Sequence, residues 1–330
     1  MNLRTTYLGL ELKNPFVVGA SPFCDNLTAC RELEASGASA IVMHSLFEEQ
    51  VDAEAKSLAH HLVEGSESYA ESTSYFPEYT DYQLGTEQYV SRLRRLTKTV
   101  DIPVIASLNG VHLDSWVGFA QQFEDAGAAA IELNLYQLVT DPTVSADDVE
   151  SDMLRIVRTV TSAVKVPVAV KLSPFHTALP GFLRKVSEEG AKGAVLFNRL
   201  YQPDFNLLDL DVSSTLQLSH PSELLLRLRW LSILSPTFAG SLACSGGVHT
   251  GEGVVKAILA GADVVQVVSC LLRQGPRYLE VLHESTEHWL EENGYDSVAS
   301  ARGALNLRRC PDPAAHERAN YIRLLQSWRV

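Results

Sequence analysis

Short apolar runs alternate with amphipathic stretches along most of this chain. Phe16 to Ala20, Ala40 to Met43, Ile102 to Leu108, Ala130 to Leu135, Pro167 to Leu172, Ala194 to Asn198, a run beginning at Ala239, and Asp263 to Val268 are apolar at nearly every position. Strands without in-out alternation are those buried on both faces, as in parallel sheets covered by helices. Between them, apolar residues recur at helical spacing in Asn26 to Ala35, Thr86 to Thr97, Leu113 to Ala126, Ala146 to Val164, Pro180 to Glu189 and Ser222 to Leu234. Gly37 and Gly127 stand where two of these helices should stop. Eight βα units of this kind predict an α/β fold, a (β/α)8 TIM barrel rather than an open sheet.

Four segments depart from the rhythm. Thr5 to Glu11 alternates around Gly9 and predicts an N-terminal hairpin that plugs the bottom of the barrel. His44 to Gly85 is long and irregular, with Tyr69, Tyr75, Phe76, Tyr79 and Tyr82; it is expected to contain a helix near Glu48 to Val63 and to act as a lid or subunit contact. Leu207 to Leu218 alternates and predicts a second hairpin, on the top face after strand six. Beyond the barrel, Arg277 to Glu292 is an amphipathic helix ended by Asn293-Gly294, and the polar tail to Val330 has a helical stretch near Ala319 to Trp328. A single domain is expected over 1–330, with the barrel at about 14–292 and a helical tail at 293–330.

Composition narrows the function classes. With 46% apolar and 20% charged residues the chain can bury a large core, and a net charge of -13 argues against nucleic acid as a partner. Cys24, Cys30, Cys244, Cys270 and Cys310 show no C-x-x-C spacing, so neither a metal site nor a disulfide framework is expected. The start MNLRTTYLGLELKNP lacks a continuous apolar region, and no segment is apolar enough to span a bilayer. A cytoplasmic protein free of membranes is the expectation.

In such barrels the chemistry lies at the carboxyl ends of the strands. That rule selects Ala20 and Ser21, His44 and Ser45, Asn109, Asn134, Lys171, Asn198, Ser245-Gly246-Gly247 and Ser269. Ser245-Gly246-Gly247 precedes a helix opening near Thr250, and one βα unit later Ser269 opens another. Two adjacent strand ends would then aim unhindered amides at one phosphate. Lys171, ending the central strand VAVKL, requires an anion or a developing negative charge, and the amides of Asn134 and Asn198 suit a planar heterocycle.

Together, Asn14-Pro15 with Gly19-Ala20-Ser21, ELN ending at Asn134, VKLSP with Lys171, FN ending at Asn198, SGGVHTGE from Ser245 and AGADVVQVVSCLLRQGP resemble the dihydroorotate dehydrogenase family of FMN barrels, over about residues 5 to 290. The resemblance implies FMN across the barrel mouth, its phosphate at Gly246, Gly247 and Ser269. It places Lys171 at the N1/O2 edge of the ring, the Ala20-Ser21 backbone along the ring, and Asn134 and Asn198 facing flavin or substrate. It further implies hydride transfer between FMN and a small dihydropyrimidine-like substrate.

The sequence departs from that family where the substrate is handled. The loop after strand four reads NLYQLVTDPTVS, without the family's Cys or Ser base, and His44 stands where a lysine is usual. His44 and Tyr136 therefore become the candidates for proton transfer, each with packing as its alternative. Two other readings stay open: a Schiff-base aldolase or lyase with Lys171 as nucleophile, or a flavin-binding subunit serving an electron-transfer partner. A homodimer through the insertions is a further expectation.

Overall fold

The computed structural model describes residues 1–48, 86–110, 112–199, 204–208, 210–213, 217–310, 313 and 325–327. All eight expected barrel strands are present, as β3 (Phe16–Val18), β4 (Ala40–Phe47), β5 (Val104–Asn109), β6 (Ala130–Leu135), β7 (Val168–Leu172), β8 (Gly193–Leu196), β11 (Ser241–Ser245) and β12 (Val264–Val267). They close in the order β11-β12-β3-β4-β5-β6-β7-β8, every neighbouring pair parallel. The fold is a closed (β/α)8 barrel.

Helices follow the strands as α1 (Leu27–Ala35), α2 (Thr86–Thr97), α3 (Leu113–Asp125), α4 (Ala146–Ala163), α5 (Leu179–Glu188), α6 (Leu224–Leu234), α7 (Gly251–Ala260) and α8 (Ser269–Gln274). The longer α9 (Tyr278–Glu292) and the short α10 (Val298–Ala301) come after the barrel. Local chemistry sets several of their starts. Asn26 caps α1 by accepting from the Thr28 and Ala29 amides, Ser145 and Asp148 form a reciprocal capping box on α4, and Thr250 caps α7. No helix among the described residues is long and apolar enough to cross a membrane.

The apolar runs divide by parity into two cores. One set of alternate residues faces the helices, among them Phe16, Val18, Ile41, Val104 and Ile131. The other set, Val17, Ala40, Val42, Ile105, Ala130, Ala169, Val195, Ala243 and Val264, fills the lower barrel. The N-terminal hairpin, β1 (Thr5–Tyr7) paired antiparallel with β2 (Leu10–Leu12), closes the bottom by adding Tyr7, Leu8 and Leu12 to that inner core. Leu8 sits so near β8 that a Cβ on Gly193 would lie 2.5 Å from its side chain.

The hairpin after strand six is also present, as β9 (Asp204–Asn206) paired with β10 (Asp211–Ser213). It begins earlier than the alternation predicts, and Phe205, Leu207, Leu208 and Leu210 are exposed on it. The tail packs on the barrel through residue 310: Val298 N donates to Asn2, Gly303 N to Ile258, and Arg302 pairs with Asp263. The expected helix and lid at 48–85, with their tyrosines, lie outside the described residues beyond Glu48, and so does most of the stretch 319–328.

A repeated device secures strand entry. Near the end of α1, Glu34 accepts the Asp101 and Ile102 amides ahead of β5, and near the end of α3, Glu124 accepts the Lys165 and Val166 amides ahead of β7. Each carboxylate satisfies two backbone donors that no ladder reaches. Glu124→Ala is expected to cost about 1–2 kcal/mol, and Glu124→Gln roughly half of that. Thermal unfolding of the two variants checks the prediction, and equal midpoints for Ala and wild type would remove the role.

Candidate active site

Above the apolar inner core, the same inward parity brings up polar residues. Ala130 is followed two residues on by Glu132 and then Asn134; Ala169 by Lys171; Val264 by Gln266; Ile105 by Ser107 and Asn109. A cavity of about 460 Å³ opens on this layer at the carboxyl ends of the strands. Its wall includes Ala20, Ser21, Asn134, Tyr136, Lys171 and Asn198, and its far side is formed by Ser245, Gly246, Gly247 and Ser269. A larger hollow of about 690 Å³ lies at the opposite end, around Thr6, Leu8, Lys192 and Asp263. The mouth is the better candidate despite its smaller volume, because only there do strand ends and helix starts direct polar groups at one space.

At the floor of this cavity lies a buried ionic network built from three strands far apart in sequence. Lys171 Nζ sits 3.0 Å from Glu132 Oε1, and Gln266 Nε2 donates to Glu132 Oε2 at 2.6 Å. Glu132 is fully buried, and Lys171 and Gln266 nearly so. A carboxylate inside a barrel must be compensated, and removing one partner of such a pair costs about 3–5 kcal/mol. Polar letters inside otherwise apolar strands, AIELNL and VVQVV, were the signal available for Glu132 and Gln266. An isolated nucleophilic amine is not what Lys171 offers, since its nitrogen is engaged by the carboxylate.

Higher up, Asn134 Nδ2 donates to Ser107 Oγ at 3.1 Å and also to Ser45 Oγ, and the two hydroxyls are 2.9 Å apart. That leaves Asn134 Oδ1 buried with no hydrogen-bond partner among the described residues, and Gln266 Oε1 is in the same state. Asn198 is anchored by its amide on Leu172, and Tyr136 by its amide on Asn134. Tyr136 is half-buried, with its side chain at the cavity wall.

The far wall carries the glycine turn. Gly246 and Gly247 have φ of +93° and +80°, and a Cβ on Gly247 would lie 2.3 Å from the Leu224 amide nitrogen. The left-handed backbone and the close approach of α6 both demand glycine here. Neither glycine amide has an acceptor among the described residues. Behind the turn, the buried Arg227 donates from Nε to the Ser245 carbonyl and from Nη1 to the Glu223 carbonyl, which places a guanidinium against the cradle. Burial pulls its pKa below the usual arginine value, with Glu223 opposing. Ser269 accepts the Ser219 amide at 3.1 Å, and Ser219 Oγ meets His249 Nε2 at the same distance, so the loop after the second hairpin is tied to both strand ends. Arg227 and Ser219 carried no signal in the sequence, since each comes from a segment remote from the motifs.

One expected site residue is not in the cavity. Strict alternation along Ala40 and Val42 would send His44 inward, but the ladder between β4 and β5 slips between Val42 and Ser45, and Ser45 takes the inward place. His44 turns outward, edge-on to Tyr89 at 5.5 Å, with Nδ1 3.0 Å from Cys24 Sγ and 3.3 Å from Asp25. Asp25 is also held by Arg92. The bulge frees the Ser107 backbone from β4, and the buried Tyr89 hydroxyl bonds both its N–H and its C=O. His44 is thus held against Cys24 and Asp25 and does not line the cavity.

Cys24, Cys30, Cys244 and Cys270 likewise do not line the cavity. Burial pushes the Cys24, Cys30 and Cys270 thiols up to about 11 and Cys244 up to about 12, the opposite of an activated nucleophile.

With this geometry in view, the chain was compared with known proteins. No family model matches it. It is 27% identical over 240 residues to a putative dihydroorotate dehydrogenase A (fumarate) of Aeropyrum pernix, covering 66% of this chain and 72% of that protein. Over 314 residues it is 23% identical to the catalytic subunit of dihydroorotate dehydrogenase B (NAD(+)) of Thermoplasma volcanium, covering 92% and 98%. The NAD-dependent dihydropyrimidine dehydrogenase subunit PreA of Escherichia coli is 23% identical over 329 residues, covering 94% and 78%. The resemblance to the dihydroorotate dehydrogenase family thus extends across most of the chain.

Burial of histidines makes stability acid-sensitive. His44 and His176 have pKa values lowered by burial, and His249 is lowered first by burial and then by Arg273. From the ordinary value of ~6.5 down to the folded values, the unfolded chain binds more protons than the folded one. Stability should therefore fall as pH drops below ~6.5 and be flat just above it. Denaturant unfolding at stepped pH measures this slope, and His44→Gln should reduce it by up to one proton; an unchanged slope would exclude His44 as a contributor.

Proposed function

We propose that this protein is an FMN-dependent oxidoreductase of the dihydroorotate dehydrogenase type, transferring a hydride between FMN and a small dihydropyrimidine-like ring. The observation that carries this reading is the convergence, on one cavity, of a glycine cradle with free amides, a serine-started helix and a buried lysine. The residues present fit the cofactor. The Gly246 and Gly247 amides suit a phosphate, backed by Arg227 and by the start of α8 at Ser269. The unpartnered oxygens of Asn134 and Gln266 suit the N–H groups of a planar heterocycle, and a Cβ on Gly19, 2.8 Å from Val268, would disturb the wall beside them.

When bound, FMN supplies the two-electron hydride chemistry that no side chain provides. The chain's own residues bind and orient. Lys171 offers an ammonium at the cavity floor where negative charge on the ring would be stabilised, and Asn134 is held through Nδ2 by Ser45 and Ser107, with its oxygen left as an acceptor. Asn198, fixed by its amide, faces flavin or substrate from β8. Among the proton-transfer candidates, Tyr136 alone lines the cavity, and we assign it the proton at its hydroxyl opposite the hydride.

A second reading, a flavin subunit that hands electrons to a partner, is favoured by two observations. Relatives carry the word subunit in their names, and the hairpin that follows β8 exposes Leu207 and Leu208. The aldolase alternative loses ground because Lys171 is engaged by Glu132.

Freshly purified protein is expected to be yellow and to release FMN by mass. Gly247→Ala should weaken FMN binding by about tenfold or more, since left-handed backbone costs a side-chain-bearing residue ~1–2 kcal/mol and 1.4 kcal/mol is tenfold. Anaerobic addition of dihydroorotate and of dihydrouracil, read as bleaching of the flavin, tests the substrate class. Bleaching by neither, with rapid electron exchange with a co-purifying protein, would favour the subunit reading.

A further inference from the structure

Beneath Lys171 lies the fully buried carboxylate of Glu132. Glu132 spends both oxygens toward the cavity floor, one on Lys171 Nζ at 3.0 Å and the other on Gln266 Nε2 at 2.6 Å, while it does not itself reach the cavity. Below it lie the apolar inner core and the plug, whose Tyr7 hydroxyl is buried with no hydrogen-bond partner among the described residues. Two consequences follow from elementary chemistry. An ionised carboxylate accepts but cannot donate, so it fixes the Gln266 amide with its nitrogen down and leaves the carbonyl oxygen as the acceptor available to a ring N–H. And because attraction falls as the inverse of distance, a negative charge 3.0 Å from the ammonium cancels a large share of what Lys171 offers to any anion above it.

We propose that Glu132 is a positioning residue that tunes the flavin: it orients Lys171 and Gln266 and, by offsetting the lysine charge, lowers the reduction potential of the bound cofactor. The inference rests on the FMN reading above. A site with a lone lysine would stabilise the anionic reduced ring strongly, whereas a neutral Lys171–Glu132 pair stabilises it weakly and leaves the reduced flavin a stronger reductant.

The test is the midpoint potential of the flavin-loaded full chain, measured by slow enzymatic reduction against a reference dye. Glu132→Gln, which keeps the shape and removes the charge, is expected to retain FMN and to raise the reduced-to-oxidised ratio at fixed potential by at least tenfold, about 30 mV for a two-electron couple. An unchanged or lower potential in flavin-loaded Glu132→Gln overturns the proposal.

Should that variant fail to fold, the double variant Glu132→Gln with Lys171→Met carries no buried charge and answers the same question. Offset charges predict that its ratio stays within tenfold of wild type, and a larger fall means that Lys171 acts without offset and overturns the proposal. Wild-type protein that takes up no FMN sinks the functional reading and this inference together, whereas FMN uptake with the wrong potentials sinks the inference alone.

Discussion

Closing eight parallel strands into a ring gives every strand residue one of two environments, and the rest of the structure depends on that division. Residues of one parity must fit the space inside the barrel, and those of the other must pack under helices. Small and β-branched apolar residues such as Ala130, Ala169, Ala243 and Val264 fill the lower interior with help from Tyr7, Leu8 and Leu12. Two residues farther along the same strands the inward positions turn polar, and the site begins there. The functional layer is thus an extension of the core by one period of the strand, set on the most rigid part of the molecule.

Rigidity and low dielectric then govern the electrostatics. Glu132 and Lys171 can be buried together only because each compensates the other and Gln266 completes the carboxylate's hydrogen bonding. The same desolvation keeps the Cys244 thiol protonated, holds the Tyr7 phenol well above its usual range, and lowers the buried histidines. At the opposite wall, two glycines in left-handed backbone leave their amides open, and Arg227 stands behind them as a fixed cation. The cavity therefore has glycine amides backed by Arg227 on one side and a neutral ionic pair under its floor.

Much of this was legible in the chain. Eight apolar runs with helices between them were enough for the barrel, because strands buried on both faces have no alternative composition. The glycine turn, Asn134, Lys171 and Asn198 were legible as strand-end residues, and all of them line one cavity. Glu132 and Gln266 were visible as polar letters in apolar strands, yet their partnership across 134 positions was not, because contact between distant strands is created only by closure. Arg227 and Ser219 come from segments whose local pattern is that of an ordinary helix and an ordinary loop, so nothing local marked them.

His44 draws the boundary most clearly. By itself the sequence determined the strand and put both His44 and Ser45 at its carboxyl end. The tertiary structure decided between them: the slip between β4 and β5 inserts one extra residue, so Ser45 faces the cavity and His44 faces Cys24 and Tyr89. A period of two makes the direction of every later side chain depend on a single residue of register. Register is settled by the neighbouring strand and by Tyr89, whose hydroxyl satisfies the Ser107 backbone that the bulge releases. Sequence pattern specifies which residues can form the site; the pairing of strands specifies which of them look into it.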